Sequence, residues 1–344
     1  MILLVSLLLT PLILTVFFIR VLSPYAIKLG FIDHPNDRKQ HENPTPPIGG
    51  LAIYFGTLIT LLLYNIDLPN LGAFLSAITL LVIVGAIDDH REVSVKIRLA
   101  SQIFAGLIMI EFADIKITDV GNLLGHGIIH LGSFSTALTI FAVVGGINAF
   151  NMIDGIDGLS SSSALFSLTW VALLAVIFDN LLILKLSVVF IGAIFAFLLF
   201  NLRIFGRKKA WIFLGDSGST VLGFVICWLI ISGSQGGNAI MTPTLVLWVI
   251  ALPLFDSVCI MMRRISKGKS PFAPDREHLH HVLPMKGFSI NQTLIIILSA
   301  SIVLAGSALT ASIYFAVGDH LLFKAFLICF GLFYYYMHKT ISAD

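Results

Sequence analysis

The chain has 344 residues, of which 57% are hydrophobic and 12% charged, with a formal net charge of +2 and a mean hydropathy of +0.97. This composition excludes an ordinary soluble globular protein and fits a polytopic membrane protein. Spans consume most of the length, so a single integral membrane domain over 1–344 is expected, with no room for a separate soluble domain and no nucleic-acid partner. The cysteines Cys227, Cys259 and Cys329 all lie in apolar runs and read as small core residues, without a disulfide framework.

A bilayer core takes roughly 20 apolar helical residues. On that measure the sequence predicts an all-α protein with eleven spans. They lie near 2–22, 49–65, 70–87, 96–112, 134–150, 159–178, 181–201, 212–233, 242–262, 292–317 and 320–337. The first run lacks a basic leader region and a small-residue cleavage site, so it reads as a retained helix. The fourth is the weakest, because Arg98 and Gln102 intrude at its start. With eleven spans, all 21 basic residues except Lys116, Lys185 and Lys324 fall on one side. That bias predicts an outer N-terminus and a cytosolic C-terminus. The cytosolic loops are then near 23–48, 88–95, 151–158, 202–211 and 263–291.

Four groups of carboxylates fall on that cytosolic side: Asp88 with Asp89, Asp154 with Asp157, Asp216, and Asp275 with Glu277. A carboxylate at a membrane boundary is costly, and several from distant segments point to a polyanionic site holding a divalent metal and phosphate. Asp88 and Asp89 close the third span. Adjacent helical side chains point about 100° apart. Split roles follow, one carboxylate on the metal and the other acting as a base or orienting a partner. The alternative is a solvated helix end supported by Arg91 and Lys96, although the helix dipole disfavours acids there.

In the run Asn148 to Ser161, Asn148, Asn151, Asp154 and Asp157 step by three, so neighbouring pairs share a helix face. Gly155 and Gly158 loosen the helix and let backbone approach a ligand. A turn rich in Asx residues is the plainer alternative. Phe213 to Thr220 opens the eighth span with small residues around Asp216, leaving a helix N-terminus open to an anion and Asp216 available to a metal. Otherwise Asp216 sits in a first helical turn capped locally by Ser217 and Ser219. The segment lacks the Gly-Lys-Ser/Thr ending of a phosphate-binding P-loop. The last cytosolic loop, Arg263 to Gly287, combines six basic residues with His278, His280 and His281. Without a cysteine, zinc is a weaker reading than histidine and arginine donors for a pyrophosphate, and attraction to anionic lipid is a third. The proline-rich loop Asp33 to Gly50 says only that the loop is ordered, and Gly145-Gly146 reads as a helix-packing site.

Together, DDH at 88–90, NAFNMIDGIDGL at 148–159, FLGDSGS at 213–219 and PDREHLHH at 274–281 resemble the polyprenyl-phosphate N-acetylhexosamine-1-phosphate transferase family. The HLHH segment is similar to the branch using UDP-N-acetylglucosamine; Leu279 departs from the three consecutive histidines of the peptidoglycan branch. The resemblance implies an eleven-span fold in the bacterial cytoplasmic membrane, with the site on its cytosolic face. It implies Mg²⁺ or Mn²⁺, UDP-N-acetylglucosamine as donor and undecaprenyl phosphate as acceptor, in the first step of a cell-surface glycan. It leaves room for a homodimer and for another UDP-N-acetylhexosamine. By the same resemblance Asp88 and Asp89 are the catalytic aspartate pair, with Asp216 and Asp89 on the metal. Asp154 and Asp157, counted as catalytic with that pair, match the nucleotide-sugar pocket, and Phe213 stacks on uracil; Asn148 and Asn151 beside them read as substrate-binding. His278, His280, His281 and Arg264 (or its neighbour Arg263) contact the pyrophosphate. The rival class is a secondary transporter, but transporter carboxylates lie near the midplane and often accompany internal repeats. Here they lie at one boundary, and the sequence has no evident repeat.

Overall fold

A computed structural model describes residues 2–33, 45–66, 70–204, 206–207, 209–271 and 276–342. Asp275 and residues 34–44 of the first loop, both named above, lie outside the described residues. Thirteen α-helices are assigned: α1 Ile2–Lys28, α2 Gly49–Leu63, α3 Leu71–His90, α4 Val95–Ala113, α5 Ser135–Met152, α6 Leu159–Ile177, α7 Leu181–Asn201, α8 Gly215–Ser232, α9 Pro243–Val249, α10 Ala251–Ser266, α11 Leu279–Met285, α12 Ile290–Phe315 and α13 Asp319–Ser342. Among the described residues, extended pairing is confined to two isolated antiparallel bridges, Asp33 with Thr45 and Asp119 with His130.

Each expected span has a helical counterpart, but they are not equivalent. Eight helices are long and apolar enough to cross a membrane, and a bent pair, α9 with α10, makes a ninth. The other two fall short for different reasons. The α2 helix has only 15 residues, and α4 opens with Lys96 and Arg98. The expected continuous helix over 242–262 is corrected here: α9 and α10 meet at 82°. Pro253 has no N–H to give the carbonyl four residues back. That carbonyl, of Val249, instead accepts from Ser167 Oγ of α6 at 3.0 Å. A proline inside an apolar run and a serine from another helix thus leave the Val249 carbonyl paired at the break.

The centre of the bundle is α8, 78% buried over its apolar window against 22% for α1. It packs on α2, α3, α5 and α6. Small residues permit this crowding. A side chain at Gly50 would collide with the backbone of Gly218, and one at Gly85 with the backbone of Ser217. A Cβ at Gly223 would lie 2.8 Å from Ile147 Cα. Gly146 meets Cys227 Sγ, in line with the expected packing role, whereas Gly145 has open space around it. The consequence for function is positional: the N-terminal end of α8 is pressed between the C-terminal ends of α3 and α5, where the acidic motifs lie.

Candidate active site

Asp89 is the first residue fixed by that arrangement. Its Oδ1 accepts from the backbone N–H of Asp216 at 2.7 Å. Its Oδ2 accepts from Ser217 N–H at 3.1 Å and Ser217 Oγ–H at 2.9 Å. The carboxylate at the C-terminal end of α3 therefore caps the N-terminus of α8, where the dipole of that helix favours negative charge. Gly215 makes room: its φ is +74°, and a Cβ there would lie 2.5 Å from Asp89 Oδ2. The neighbouring Asp88 points elsewhere, accepting from Val93 N–H at 2.6 Å and Arg98 Nη1 at 3.0 Å, and it faces the Asp216 carboxylate.

Asp216 Oδ1 accepts from Asn151 Nδ2 at 2.5 Å, and the same amide donates to Ser219 Oγ at 2.9 Å. One turn earlier, Asn148 Nδ2 donates to Gln102 Oε1 at 2.6 Å and to the Val144 carbonyl at 2.7 Å. Asp88, Gln102, Asn148, Asn151, Asp216 and Arg264 line one cavity of about 150 Å³. A site with acids on one wall and a guanidinium on another suits a ligand that is anionic yet carries or meets a cation.

The loop after α5 holds Asp154 and Asp157 differently. Asp157 is paired with Arg203 Nε at 2.6 Å. Asp154 receives no hydrogen bond among the described residues. Burial, then the charges of Asp216, Asp89 and Asp157, push its carboxyl well above the ordinary 3.8. Carboxylates crowded in this way need a proton or a cation. The carboxylates of Asp88 and Asp216, which face one another in the cavity, are the hard oxygen donors that suit a divalent ion such as Mg²⁺ or Mn²⁺.

The histidine loop closes the other wall. His278 Nδ1 donates to Asp256 Oδ2 at 2.6 Å, and Leu279 N–H donates to Asp256 Oδ1 at 2.8 Å. The rings of His278 and His280 stack at 5.4 Å, and those of His280 and His281 lie 4.2 Å apart. His280 rests so closely on Gly155 that any side chain there would strike its Nε2. Arg264 Nη1 donates to the Pro271 carbonyl at 2.6 Å, and its Nη2 lies 3.4 Å from His278 Nε2. Arg263 turns away, to Glu277 at 2.9 Å and His338 of α13 at 3.0 Å. Glu277, which also pairs with Lys267, is thus held by two cations and does not join the acidic cluster. Burial alone would raise its carboxyl, but Lys267 and Arg263 hold it below the ordinary 4.5.

The structure brings Asp88, Asn148, Asn151, Asp216 and Arg264 around one cavity. Asp89 and His278 lie one contact behind it, on Asp216 and Arg264. Phe213, Asp154, Asp157, His280 and His281 do not line it; the Phe213 backbone ties the start of α8 to Pro46 and Gly49. Sequence reasoning missed Asp256, Arg203 and Gln102 as site residues. Asp256 had a signal, an ionisable residue inside an apolar run. With His278 and His280 it forms a buried group whose ligand atoms lie within 4.8 Å of one another.

The fold is that of a multi-pass helical membrane protein with an acid-lined cavity, and sequence comparison makes it a transferase. The glycosyl transferase family 4 profile matches residues 71–234, and the chain belongs to this family. It is 36% identical over 327 residues to the undecaprenyl-phosphate α-N-acetylglucosaminyl 1-phosphate transferase of Escherichia coli K12, covering 95% of this chain and 89% of that one. It is 38% identical over 333 residues to the protein of that name from Salmonella typhi, with the same coverage. Over 317 residues it is 36% identical to the one from Haemophilus influenzae, covering 92% and 88% of the two chains.

Proposed function

We propose that this protein transfers N-acetylglucosamine 1-phosphate from UDP-N-acetylglucosamine to undecaprenyl phosphate, releasing UMP. The observation that carries this reading is the meeting of Asp88, Asp216 and Asn151 with Arg264 around one cavity, in a chain so similar to transferases of that name over nearly its whole length. The acceptor phosphate oxygen forms a bond to the β-phosphorus of the donor. The bond from that phosphorus to the oxygen bridging to UMP breaks, and UMP departs with the electron pair. A divalent ion, Mg²⁺ or Mn²⁺, supplies charge neutralisation when bound, and Asp216 with Asp88 would hold it, in place of the expected Asp89, whose oxygens are taken by Asp216 N–H and Ser217.

The protein's own groups then position and screen. Arg264, backed by His278, takes the donor's diphosphate, as a guanidinium suits a phosphate through paired N–H groups. Asn151 keeps Asp216 in one rotamer, and Asp89 fixes the helix end that carries it. Asp88, held by Arg98 and Val93, orients the incoming phosphate, which is already a nucleophile when ionised. Asp157 is held by Arg203 and steadies the loop that carries Asp154. Such transfer needs positioning and electrostatics more than covalent help. Eleven spans with the N-terminus outside and the site on the cytosolic face are part of this reading. The donor is water-soluble, and the basic residues gather on that side. The product is the first lipid-linked intermediate of a cell-surface glycan, and the enzyme resides in the bacterial cytoplasmic membrane.

The test is direct. Purified protein is incubated with Mg²⁺, undecaprenyl phosphate and a panel of UDP-sugars, and the lipid product is weighed by mass spectrometry. A product only with UDP-N-acetylglucosamine is expected. A product with a different UDP-N-acetylhexosamine would move the sugar assignment, and none with any would overturn the reaction.

A further inference from the structure

We propose that Asp256 is a positioning residue which, through His278, sets the guanidinium of Arg264 for the donor's diphosphate. This rests on the reading of Arg264 given above. Asp256 sits in α10 at 2% exposure, far from water, where an unpaired carboxylate would be very costly. Both its oxygens are committed to the histidine loop: Oδ2 takes the Nδ1–H of His278 at 2.6 Å, and Oδ1 takes the first N–H of α11, from Leu279, at 2.8 Å. It does not line the cavity, so its influence must pass through another group.

That group is the imidazole of His278. With Nδ1–H given to the carboxylate, the lone pair of a neutral ring is on Nε2. Nε2 lies 3.4 Å from Arg264 Nη2, while Arg264 Nη1 is fixed on the Pro271 carbonyl at 2.6 Å. The guanidinium is therefore steered from two sides at the edge of the cavity it shares with Asp88 and Asp216. The tautomer decides whether His278 attracts or repels it. An amide at 256 that keeps its oxygen on Leu279 N–H presents its NH₂ to Nδ1. The proton then moves to Nε2, and an N–H faces the N–H of Arg264. Setting two buried donors face to face in this way weakens binding by about 10–100-fold.

The test uses the full-length protein in detergent with UDP-N-acetylglucosamine and undecaprenyl phosphate. Asp256→Asn is expected to raise the KM for the donor about 10–100-fold and leave the KM for the lipid near its wild-type value. Combined with Arg264→Ala it should add little, because both changes remove the same contact. Two further variants test the tautomer without touching Asp256. His278→Gln, whose amide reaches the place of Nε2, should keep donor affinity closer to wild type than His278→Asn, which reaches only that of Nδ1. If Arg264→Ala binds the donor normally, the underlying reading of Arg264 falls. If Arg264→Ala is weakened while Asp256→Asn is not, or if the two losses multiply, the positioning role alone falls. Zinc that copurifies in equal amount with the wild type and is lost from Asp256→Asn would also overturn it, by making Asp256 a metal ligand.

Discussion

The two walls of the cavity hold their charges by different means. On the acidic wall, Asp89 is satisfied by backbone N–H groups of α8 and Asp216 by an amide, Asp88 by a backbone N–H as well as Arg98, and α3 touches α8 closely at Gly85. On the histidine wall, side chains answer side chains. Asp256 takes the Nδ1–H of His278, and Glu277 meets the cations of Arg263 and Lys267. Backbone donors of a packed helix cannot rotate away, whereas ion pairs between long side chains can dissociate, be screened by salt or be titrated. The acidic wall is thus expected to be the more rigid of the two, and the histidine wall the more easily perturbed.

The sharpest test of that division is Asp216→Asn. Turnover should fall at least about 100-fold while the protein stays folded, and raised Mg²⁺ should restore part of it. Near-normal turnover at low Mg²⁺ would remove Asp216 from the metal. Next comes Asp89→Asn, which keeps one acceptor and loses the charge that caps α8. A loss of about 1–3 kcal/mol in stability is expected, seen as a lower Tm in detergent together with reduced kcat. Asp88→Asn should differ by sparing Tm. Equal Tm losses in both variants would erase the proposed split between the two aspartates.

Smaller effects are expected on the histidine wall. Gly155→Ala places a methyl group against His280 Nε2, so the loop must shift by a fraction of its width. A rise in donor KM of about tenfold is expected, with lipid KM and Tm unchanged; an unaltered donor KM would show that His280 is not needed where it stands. Smallest of all is the effect of Glu277→Gln at neutral pH. The Glu277 carboxyl is held below its ordinary value of 4.5, so its contribution to stability is present above that value and fades as the pH falls through the lowered one. The wild type should therefore lose its Tm advantage over the variant only in that acidic window. An advantage that instead fades towards alkaline pH would mean that the cations do not stabilise the carboxylate form.

Much of this was legible in the sequence because it is local. Asp88, Asn151, Asp216 and Arg264 each lie beside a span end, where a polar residue is conspicuous. What was hidden depends on pairing between distant segments. Nothing near Asp89 announces that its partners are the N–H groups of Asp216 and Ser217, 127 and 128 residues away. Arg203 carries no mark of Asp157, and Ser167 none of Val249. Pro253 and Asp256 were visible as exceptions in one apolar run. The run's overall hydropathy outweighed both, so a straight span was expected where the chain bends.

The cap that Asp89 places on α8 has a consequence for biogenesis. Chains enter the membrane N-terminus first, so α3 is made long before residues 215–217 exist. Until then Asp89 stands at the wrong end of a helix dipole with no backbone donors to meet it. Closure of α8 against α3 is the event that satisfies it, and the same event brings Asp216 opposite Asp88 and Asn151. The acidic cluster thus assembles late in synthesis, only once α8 has been made and has closed against α3.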